Sequence, residues 1–202
     1  MTNVTPITAG AALSMNAGDV VKAADVIGCG VAALKAVTAV ESSGHGFDGR
    51  GRPVILFEPH VFYRNLRGDN LQHAIMSGIA YPRWGQRPYP RGSDAQYARL
   101  EQARNIDNEA AFMSISMGIG QILGENYRLA GHASAAEMFV SACASEGAQL
   151  MQMANFIKSK GLGSYLRNKD WPSFARGYNG AGYKHNSYDV KLASAYRREL
   201  FA

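Results

Sequence analysis

The sequence has 202 residues, with 21 lysines and arginines against 16 aspartates and glutamates, which gives a formal net charge of +5. Because 47% of the residues are hydrophobic and only 18% are charged, the chain can bury a sizeable core, which excludes wholesale disorder and predicts a single domain over residues 1–202. The positive charge favours an anionic surface or polymer as the partner but does not identify it.

The chain is predicted to begin with two helices separated by a glycine break. Apolar residues at helical spacing predict a helix over residues 19–27, which Gly28 and Gly30 end. The same spacing predicts a second helix over residues 31–40, with Glu41 at its C-terminal end.

A change of composition after the second helix predicts a small β-hairpin. Residues 42–53 are glycine-rich, which is turn chemistry, and residues 54–57 are the one strong strand signal. Pro59 ends the strand, and residues 61–66 can open another helix. Residues 68–93 combine prolines, aromatic residues and arginines, and we expect them to form an ordered loop.

The rest of the chain is predicted to be almost entirely helical. The uncharged residues 110–124 are predicted to form a buried helix, too short to span a membrane. One helix is predicted over residues 93–104 and another from Asp107 or Asn108 onward. A capping box at Ser134 and Glu137 predicts a helix that runs to about residue 160. Two last helices are predicted, one from Trp171 and one over residues 189–200. The sequence therefore predicts a mainly α fold with a small β-hairpin, in which Cys29 and Cys143 are core thiols.

Glu41 is a candidate general acid because it ends an apolar helix and precedes a glycine-rich turn. Packing against apolar neighbours would remove water from the carboxylate and raise its pKa, as a proton donor that works near neutrality requires. The alternative is that Glu41 merely pairs with Arg50 or Arg52.

Glu58 follows Glu41 by 17 positions and ends the predicted strand. A hairpin between the two acids would bring them to one cleft, and two carboxylates are the minimal set for cleaving a glycosidic bond. The alternative is that Glu58 forms an ion pair with Arg64.

Three motifs in order carry a family resemblance. Residues 39–47 (Ala-Val-Glu-Ser-Ser-Gly-His-Gly-Phe) and 51–62 (Gly-Arg-Pro-Val-Ile-Leu-Phe-Glu-Pro-His-Val-Phe) closely resemble the N-acetylmuramidase domain of phage endolysins, a family of the lysozyme-like superfamily. Residues 118–121 (Gly-Ile-Gly-Gln) and 177–180 (Gly-Tyr-Asn-Gly) complete the superfamily pattern. The resemblance extends from about residue 19 to residue 200.

The resemblance implies a lysozyme-like α+β fold and hydrolysis of the β-1,4 bond between N-acetylmuramic acid and N-acetylglucosamine in peptidoglycan. It implies that Glu41 is the catalytic acid and Glu58 the second acidic residue. The residues that it places at the substrate or around the catalytic acid are Gln121, Tyr178, Asn179 and His60. The sequence departs from many lysozyme-like relatives at Gly120, where they carry methionine.

Two further features point to possible surfaces for binding. Aromatic residues that could stack on sugar rings are Tyr81, Trp84, Tyr89, Tyr178, Tyr183 and Tyr188. The basic segment 184–198 predicts an amphipathic helix that could contact an anionic outer membrane weakly, although such a helix more often packs its apolar face on its own domain.

Several rival functions are weighed against this hypothesis. The glycine pattern at residues 28–33 resembles a dinucleotide-binding turn, but no strand precedes it. A zinc amidase would need a metal-ligand spacing that the five histidines do not show. A lytic transglycosylase of the same superfamily, or a non-catalytic wall-binding protein, stays open as an alternative. We expect no cofactor, no metal and no nucleic-acid partner.

The expected setting follows from the resemblance and the N-terminus. Residues 1–18 carry no lysine or arginine ahead of an apolar run, so we expect no secretory signal peptide. We expect a monomer without a separate wall-binding module, held in the host cytoplasm until lysis releases it to the cell wall.

Overall fold

The computed structural model describes residues 10–42 and 45–201 of the chain. Within these ranges the helices are α1 (Ala17–Ile27), α2 (Val31–Ser42), α3 (Pro59–Asn65), α4 (Gly68–Met76), α5 (Ser93–Arg104), α6 (Asn108–Met113), α7 (Ala135–Ala144), α8 (Glu146–Ser159), α9 (Gly163–Asn168), α10 (Trp171–Asn179) and α11 (Tyr188–Glu199). The strands are β1 (Ile55–Phe57), β2 (Ile115–Met117) and β3 (Ile122–Leu123), and 3₁₀ turns cover Gly124–Asn126 and Ala181–Asn186. The predicted class, mainly α with a small β element, is confirmed.

The first two helices lie where the sequence predicts them. The side chain of Asn16 accepts a hydrogen bond from the Asp19 amide at 3.1 Å, and the Asp19 carboxylate accepts one from the Asn16 amide at 3.0 Å, which starts α1. The helix ends at Gly28, as predicted. Because α1 packs on α8 and α2 packs on α11, the helix that carries Glu41 is held by the last helix of the chain.

The strands form one antiparallel sheet in the order β1, β2, β3. The prediction of a hairpin over residues 42–57 is wrong in its pairing. Of the predicted turn, the described part contributes one antiparallel bridge, between Phe47 and Pro53. β1 pairs instead with β2, about sixty residues later, so a long-range contact fixes the strand that precedes Glu58.

The prediction of a buried helix over residues 110–124 is also wrong. α6 ends at Met113, and the chain then forms the β2–β3 hairpin, in which Gly118 has a φ of 68°. A Cβ atom on Gly118 would lie 2.8 Å from the buried Gln149 side chain, so both the turn and the packing require glycine. Pairing with β1 therefore overrides the helical spacing of the apolar residues.

The helix predicted from Ser134 to about residue 160 is interrupted at Ser145. Ser134 accepts a hydrogen bond from the Glu137 amide at 3.0 Å, as the capping box predicts. Ser145 is extended, forms a parallel bridge with Leu13, and caps α8 through its side chain. Contact with residues far away in sequence therefore divides one predicted helix into two.

The segment predicted to be loop over residues 68–93 is helical in its first third, because α4 occupies it. Residues 77–92, which we call the proline-rich loop, connect α4 to α5 without helix or strand. Tyr81 at the start of this loop is buried, whereas Trp84 is 70% exposed.

The C-terminal helix α11 packs on α2 and α10 through buried Leu192 and Ala195. Val190 and Leu200 stay exposed. Within the described ranges no single helix is long and apolar enough to cross a membrane, although α1 and α2, bent by 104°, pass that test together. Of the two predicted core thiols, Cys143 is buried and Cys29 is partly buried, and both are free.

Candidate active site

A cleft of about 870 Å³ is lined by residues of α2, the sheet, α10 and the 3₁₀ turn that follows α10. Five of the predicted site residues line it: Glu41, Glu58, Gln121, Tyr178 and Asn179. The other lining residues are Leu56, Trp84, Ser116, Ile122, Leu123, Asn126, Phe156, Gly182, Tyr183, His185, Asn186 and Tyr188. The fold therefore brings together predicted site residues that are up to 138 positions apart.

The pleat of the sheet accounts for part of this lining. Leu56 pairs with Ser116, and Ser116 pairs with Leu123. Directly paired residues point to the same face of a sheet, and all three line the cleft. Their neighbours Ile55 and Phe57 point the other way and are buried in the core.

Glu41 lies in the last turn of α2 and is partly buried. Its Oε1 atom accepts a hydrogen bond from Asn179 Nδ2 at 2.9 Å, which joins the end of α2 to the end of α10. Burial raises the pKa of Glu41 to about 7, because the ionised carboxylate loses hydration, while the Asn179 hydrogen bond and the charge of Lys191 oppose the rise. The predicted rise in pKa is confirmed, so Glu41 holds its proton to a higher pH than an exposed glutamate does.

The alternative prediction, an ion pair between Glu41 and Arg50 or Arg52, is not seen among the described residues. Arg50 pairs with Asp94 at 2.9 Å, and Arg52 pairs with both Asp48 and Asp94 at 2.7 Å. These arginines therefore brace the turn after α2 against the start of α5.

Glu58 lies between β1 and α3. Its amide donates to the Ser114 carbonyl at 2.8 Å, and Pro59 begins α3 directly after it. The Oε2 atom of Glu58 accepts a hydrogen bond from the Tyr89 hydroxyl at 2.5 Å. Burial raises the pKa of Glu58 above its usual value, while the Tyr89 hydrogen bond and the charge of Arg64 oppose that rise.

The predicted alternative of an ion pair between Glu58 and Arg64 is likewise not found in the described part of the chain. Arg64 instead pairs with Glu125, with its Nε atom 3.2 Å from Oε2. Arg64 therefore acts on Glu58 through its field and not through direct contact.

Among the described residues that line the cleft, His60 is the predicted site residue that is missing. Its Nδ1 atom is buried and lies 3.4 Å from Glu58 Oε2. Burial and the charge of Arg64 lower the pKa of His60, so it is a neutral neighbour of Glu58 at neutral pH. Among the described residues no group of three histidine, cysteine or acidic side chains is arranged to hold a metal ion.

Gln121 and Tyr178 use their polar atoms to hold the backbone of the cleft. Gln121 Nε2 donates to the carbonyls of Gly118 at 2.9 Å and Val54 at 3.2 Å. The Tyr178 hydroxyl donates to the Gly120 carbonyl at 2.7 Å. Both residues therefore shape the cleft wall, and neither bonds to Glu41.

Close packing accounts for glycine at position 120, where the resemblance led us to note a departure from the superfamily pattern. A Cβ atom at this position would lie 2.8 Å from Cβ of Met153. The Met153 side chain therefore occupies the space that a larger residue at position 120 would need.

The predicted aromatic groove is present in part. Trp84, Tyr178, Tyr183 and Tyr188 line the cleft. Tyr178 also stacks on Phe174, with ring centroids 5.3 Å apart, so its ring belongs partly to the core. Trp84 is the exposed member of this group and the one on the proline-rich loop.

Four polar lining residues were missed by the sequence reasoning: Ser116, Asn126, His185 and Asn186. Ser116 lies in the stretch that was wrongly predicted to be helical. The turn predicted at Asn179 and Gly180 was the available signal for the last two, because the 3₁₀ turn that carries them starts there.

Comparisons with known proteins agree with this geometry. A family model described as Muramidase, N-acetylmuramidase, matches residues 30–199. The crystal structure of the Burkholderia AP3 phage endolysin is 36% identical and superposes with a TM-score of 0.82, covering 94% of this chain and 73% of that one. This similarity confirms the expected lysozyme-like fold class. No curated protein matches the chain in sequence.

Proposed function

We propose, since the chain belongs to the N-acetylmuramidase family and is thus a peptidoglycan hydrolase, that it cleaves the β-1,4 bond between N-acetylmuramic acid and N-acetylglucosamine. Glu41 serves as the general acid and Glu58 as the second carboxylate. Both roles rest on the arrangement of the two side chains in one cleft.

The observation that carries this proposal is the difference between the two carboxylates. Burial raises the pKa of Glu41 to about 7, although the hydrogen bond from the Asn179 amide opposes that rise. Burial also raises the pKa of Glu58, but by less, with the Tyr89 hydroxyl and the charge of Arg64 opposing the rise. Two acids whose surroundings differ in this way can act at the same pH, one as a proton donor and the other as a base.

The proposed reaction uses both groups in one sequence. Glu41 gives its proton to the glycosidic oxygen as the bond from that oxygen to the anomeric carbon breaks. Positive charge develops on the sugar, and Glu58 takes a proton from a water molecule whose oxygen bonds to the anomeric carbon. The products are a new reducing end and a free hydroxyl, and both carboxyl groups return to their starting states by exchange with solvent.

Asn179 supports the donor in this scheme and offers a contact to the substrate. Its Nδ2 atom is bound to Glu41, and its Oδ1 atom is buried and accepts no hydrogen bond from the described residues. A buried acceptor without a partner is costly. A sugar hydroxyl or N-acetyl N–H group bound in the cleft would satisfy it.

The main alternative is a lytic transglycosylase, which cleaves the same bond without water and needs one acid. Glu58 favours hydrolysis, because a second partly buried carboxylate in the cleft has no task in the water-free reaction. A free stem peptide as product would instead indicate an amidase.

The deciding experiment is digestion of purified peptidoglycan followed by mass spectrometry of the products. We expect reducing muramic acid ends; anhydro ends would show a transglycosylase and would overturn the hydrolytic proposal. Glu41→Gln should lower the rate by roughly a hundred- to ten-thousand-fold, the range of proton-transfer catalysis. Glu58→Gln should also lower the rate strongly.

The matched control is Glu199→Gln. Glu199 lies on α11, outside the lining of the cleft, and pairs loosely with Lys35 at 3.8 Å. It should keep the wild-type rate. If Glu41→Gln keeps more than a few per cent of that rate, Glu41 is not the acid.

The proposed setting is lysis of a bacterial host. By analogy with the phage endolysin, we propose that the chain acts on the cell wall after release from the cytoplasm. The net charge of +5 would favour its binding to an anionic wall.

A further inference from the structure

We propose that Tyr89 is a positioning residue for the reaction: it fixes the orientation of the Glu58 carboxylate on the wall of the cleft. This inference rests on the proposed function, because it assigns Tyr89 a task only if Glu58 takes part in the chemistry.

The contact itself is selective for one carboxylate oxygen. The Tyr89 hydroxyl donates to Glu58 Oε2 at 2.5 Å, and His60 Nδ1 lies 3.4 Å from the same oxygen. No described residue donates a hydrogen bond to Oε1 of Glu58. Tyr89 therefore occupies one oxygen and leaves the other free for water or substrate in the cleft.

The backbone around Tyr89 is tied directly to the backbone around Glu58. The buried side chain of Gln96 donates from Nε2 to the Pro90 carbonyl at 2.7 Å and accepts from the Phe57 amide at Oε1 at 2.9 Å. Pro90 follows Tyr89, and Phe57 precedes Glu58. One buried amide therefore sets the distance between the two segments that carry the donor and the carboxylate.

Two prolines stiffen the donor segment further. Pro88 and Pro90 flank Tyr89, and each proline fixes its own φ and restricts the residue before it. The hydroxyl is thus held by the chain itself as well as by its bond to Glu58. Removing the hydroxyl should consequently leave the proline-rich loop in place.

The electrostatic surroundings keep Tyr89 a donor. Burial and the neighbouring Glu58 raise the pKa of Tyr89 above its usual value, so it keeps its proton through the neutral range. Arg99 lies close enough for its charge to act in the opposite direction. A cation beside a phenol makes its O–H group a stronger donor to a carboxylate.

Replacement of Tyr89 by phenylalanine tests the proposal. We expect kcat on soluble glycan fragments to fall about tenfold, with KM changed less than twofold, because the carboxylate loses orientation rather than the substrate losing a contact. The acid limb of the kcat–pH profile should move to higher pH, since the lost hydrogen bond stabilised the ionised form of Glu58. Tyr165→Phe, on α9 and outside the lining of the cleft, is the matched control and should change neither quantity.

A double-mutant comparison separates this proposal from the proposed function. If Glu58→Gln keeps wild-type activity, the role of Glu58 is wrong and the proposed function fails. If Glu58→Gln is impaired but Tyr89→Phe has a wild-type kcat and pH profile, the function stands and the positioning role of Tyr89 is overturned. When both are impaired, Tyr89→Phe should have little added effect in the Glu58→Gln background; a full tenfold effect there would also overturn it.

If Tyr89→Phe does not fold, fluorotyrosine at position 89 provides a second test. Fluorine makes the phenol a stronger acid and a stronger donor while the ring and hydroxyl remain. The acid limb should then move to lower pH. An unchanged acid limb would contradict the proposal.

Discussion

The two acidic residues of the cleft are held by different neighbours. Glu41 ends a helix, and its one described hydrogen-bond donor is an amide, that of Asn179. Glu58 follows a strand, accepts from a hydroxyl, and lies in the field of an arginine. Burial raises both pKa values, and at each acid one hydrogen bond and one nearby cation oppose the rise. The rise is larger at Glu41, whose pKa reaches about 7. In the proposed mechanism this difference lets Glu41 hold its proton at a pH at which Glu58 is ionised.

This difference predicts that Glu41 destabilises the folded protein at neutral pH. The pKa of Glu41 is about 7 in the folded chain and about 4.5 when exposed. Between these pH values the unfolded chain releases the proton while the folded chain retains it. Stability is therefore fully present below pH 4.5 and falls by about 3 kcal/mol as pH rises through 7.

Glu41→Gln should consequently stabilise the protein while abolishing activity. Glutamine resembles the protonated acid and can still accept from Asn179. We expect the free energy of unfolding, measured in urea, to exceed that of wild type by up to about 3 kcal/mol at pH 8 and to match it near pH 4. Glu58→Gln should give a smaller gain. Equal gains for the two variants would show that the acids do not differ as described.

The next test removes the amide that holds Glu41. Asn179→Ala should lower kcat by about tenfold, because the carboxyl group is no longer oriented. The alkaline limb of the kcat–pH profile should move to higher pH, since the lost hydrogen bond favoured the ionised form of Glu41. This shift affects the limb opposite to the one that Tyr89→Phe moves.

The matched control for this variant is Asn155→Ala. The Asn155 amide also donates to a neighbour, the Ala130 carbonyl at 3.2 Å, but does not line the cleft. It should leave the pH profile unchanged. An alkaline limb that stays in place in Asn179→Ala would mean that Asn179 does not tune Glu41.

The two sides of the cleft also differed in how well the sequence predicted them. The periodicity of α1 and α2 and the break at Gly28 placed Glu41 correctly at a helix end, because those signals are local. The family motifs named both acids as candidates, and the structure places both in one cleft. The raised pKa of Glu41 followed from the apolar helix that precedes it.

The surroundings of Glu58 could not be predicted from local sequence signals. β1 pairs with β2 across some sixty residues, and the stretch around Ile115 has helical spacing that this pairing overrides. The contact from Tyr89 to Glu58 spans 31 positions and depends on the buried side chain of Gln96. Sequence reasoning named Tyr89 only as a possible sugar platform, since neither spacing nor composition reveals its partner.

The smallest expected effect tests whether the proline-rich loop also meets the glycan. Trp84 lines the cleft, is 70% exposed, and lies five residues from Tyr89 on the same loop. An exposed indole in a glycan cleft can stack on a sugar ring without any stabilising role in the fold. Trp84→Ala should therefore raise KM for soluble glycan fragments about three- to tenfold, equivalent to roughly 1 kcal/mol, with kcat and the melting temperature nearly unchanged.

The control for this last variant is Phe201→Ala, which removes another exposed aromatic side chain outside the lining of the cleft. Its KM should equal that of wild type. A rise in KM confined to Trp84→Ala would show that the proline-rich loop has two separate tasks. It would hold the Glu58 carboxylate through Tyr89 and bind sugar through Trp84. A fall in kcat instead would mean that Trp84 acts on Glu58 through the loop, and an unchanged KM and kcat would exclude Trp84 from glycan binding.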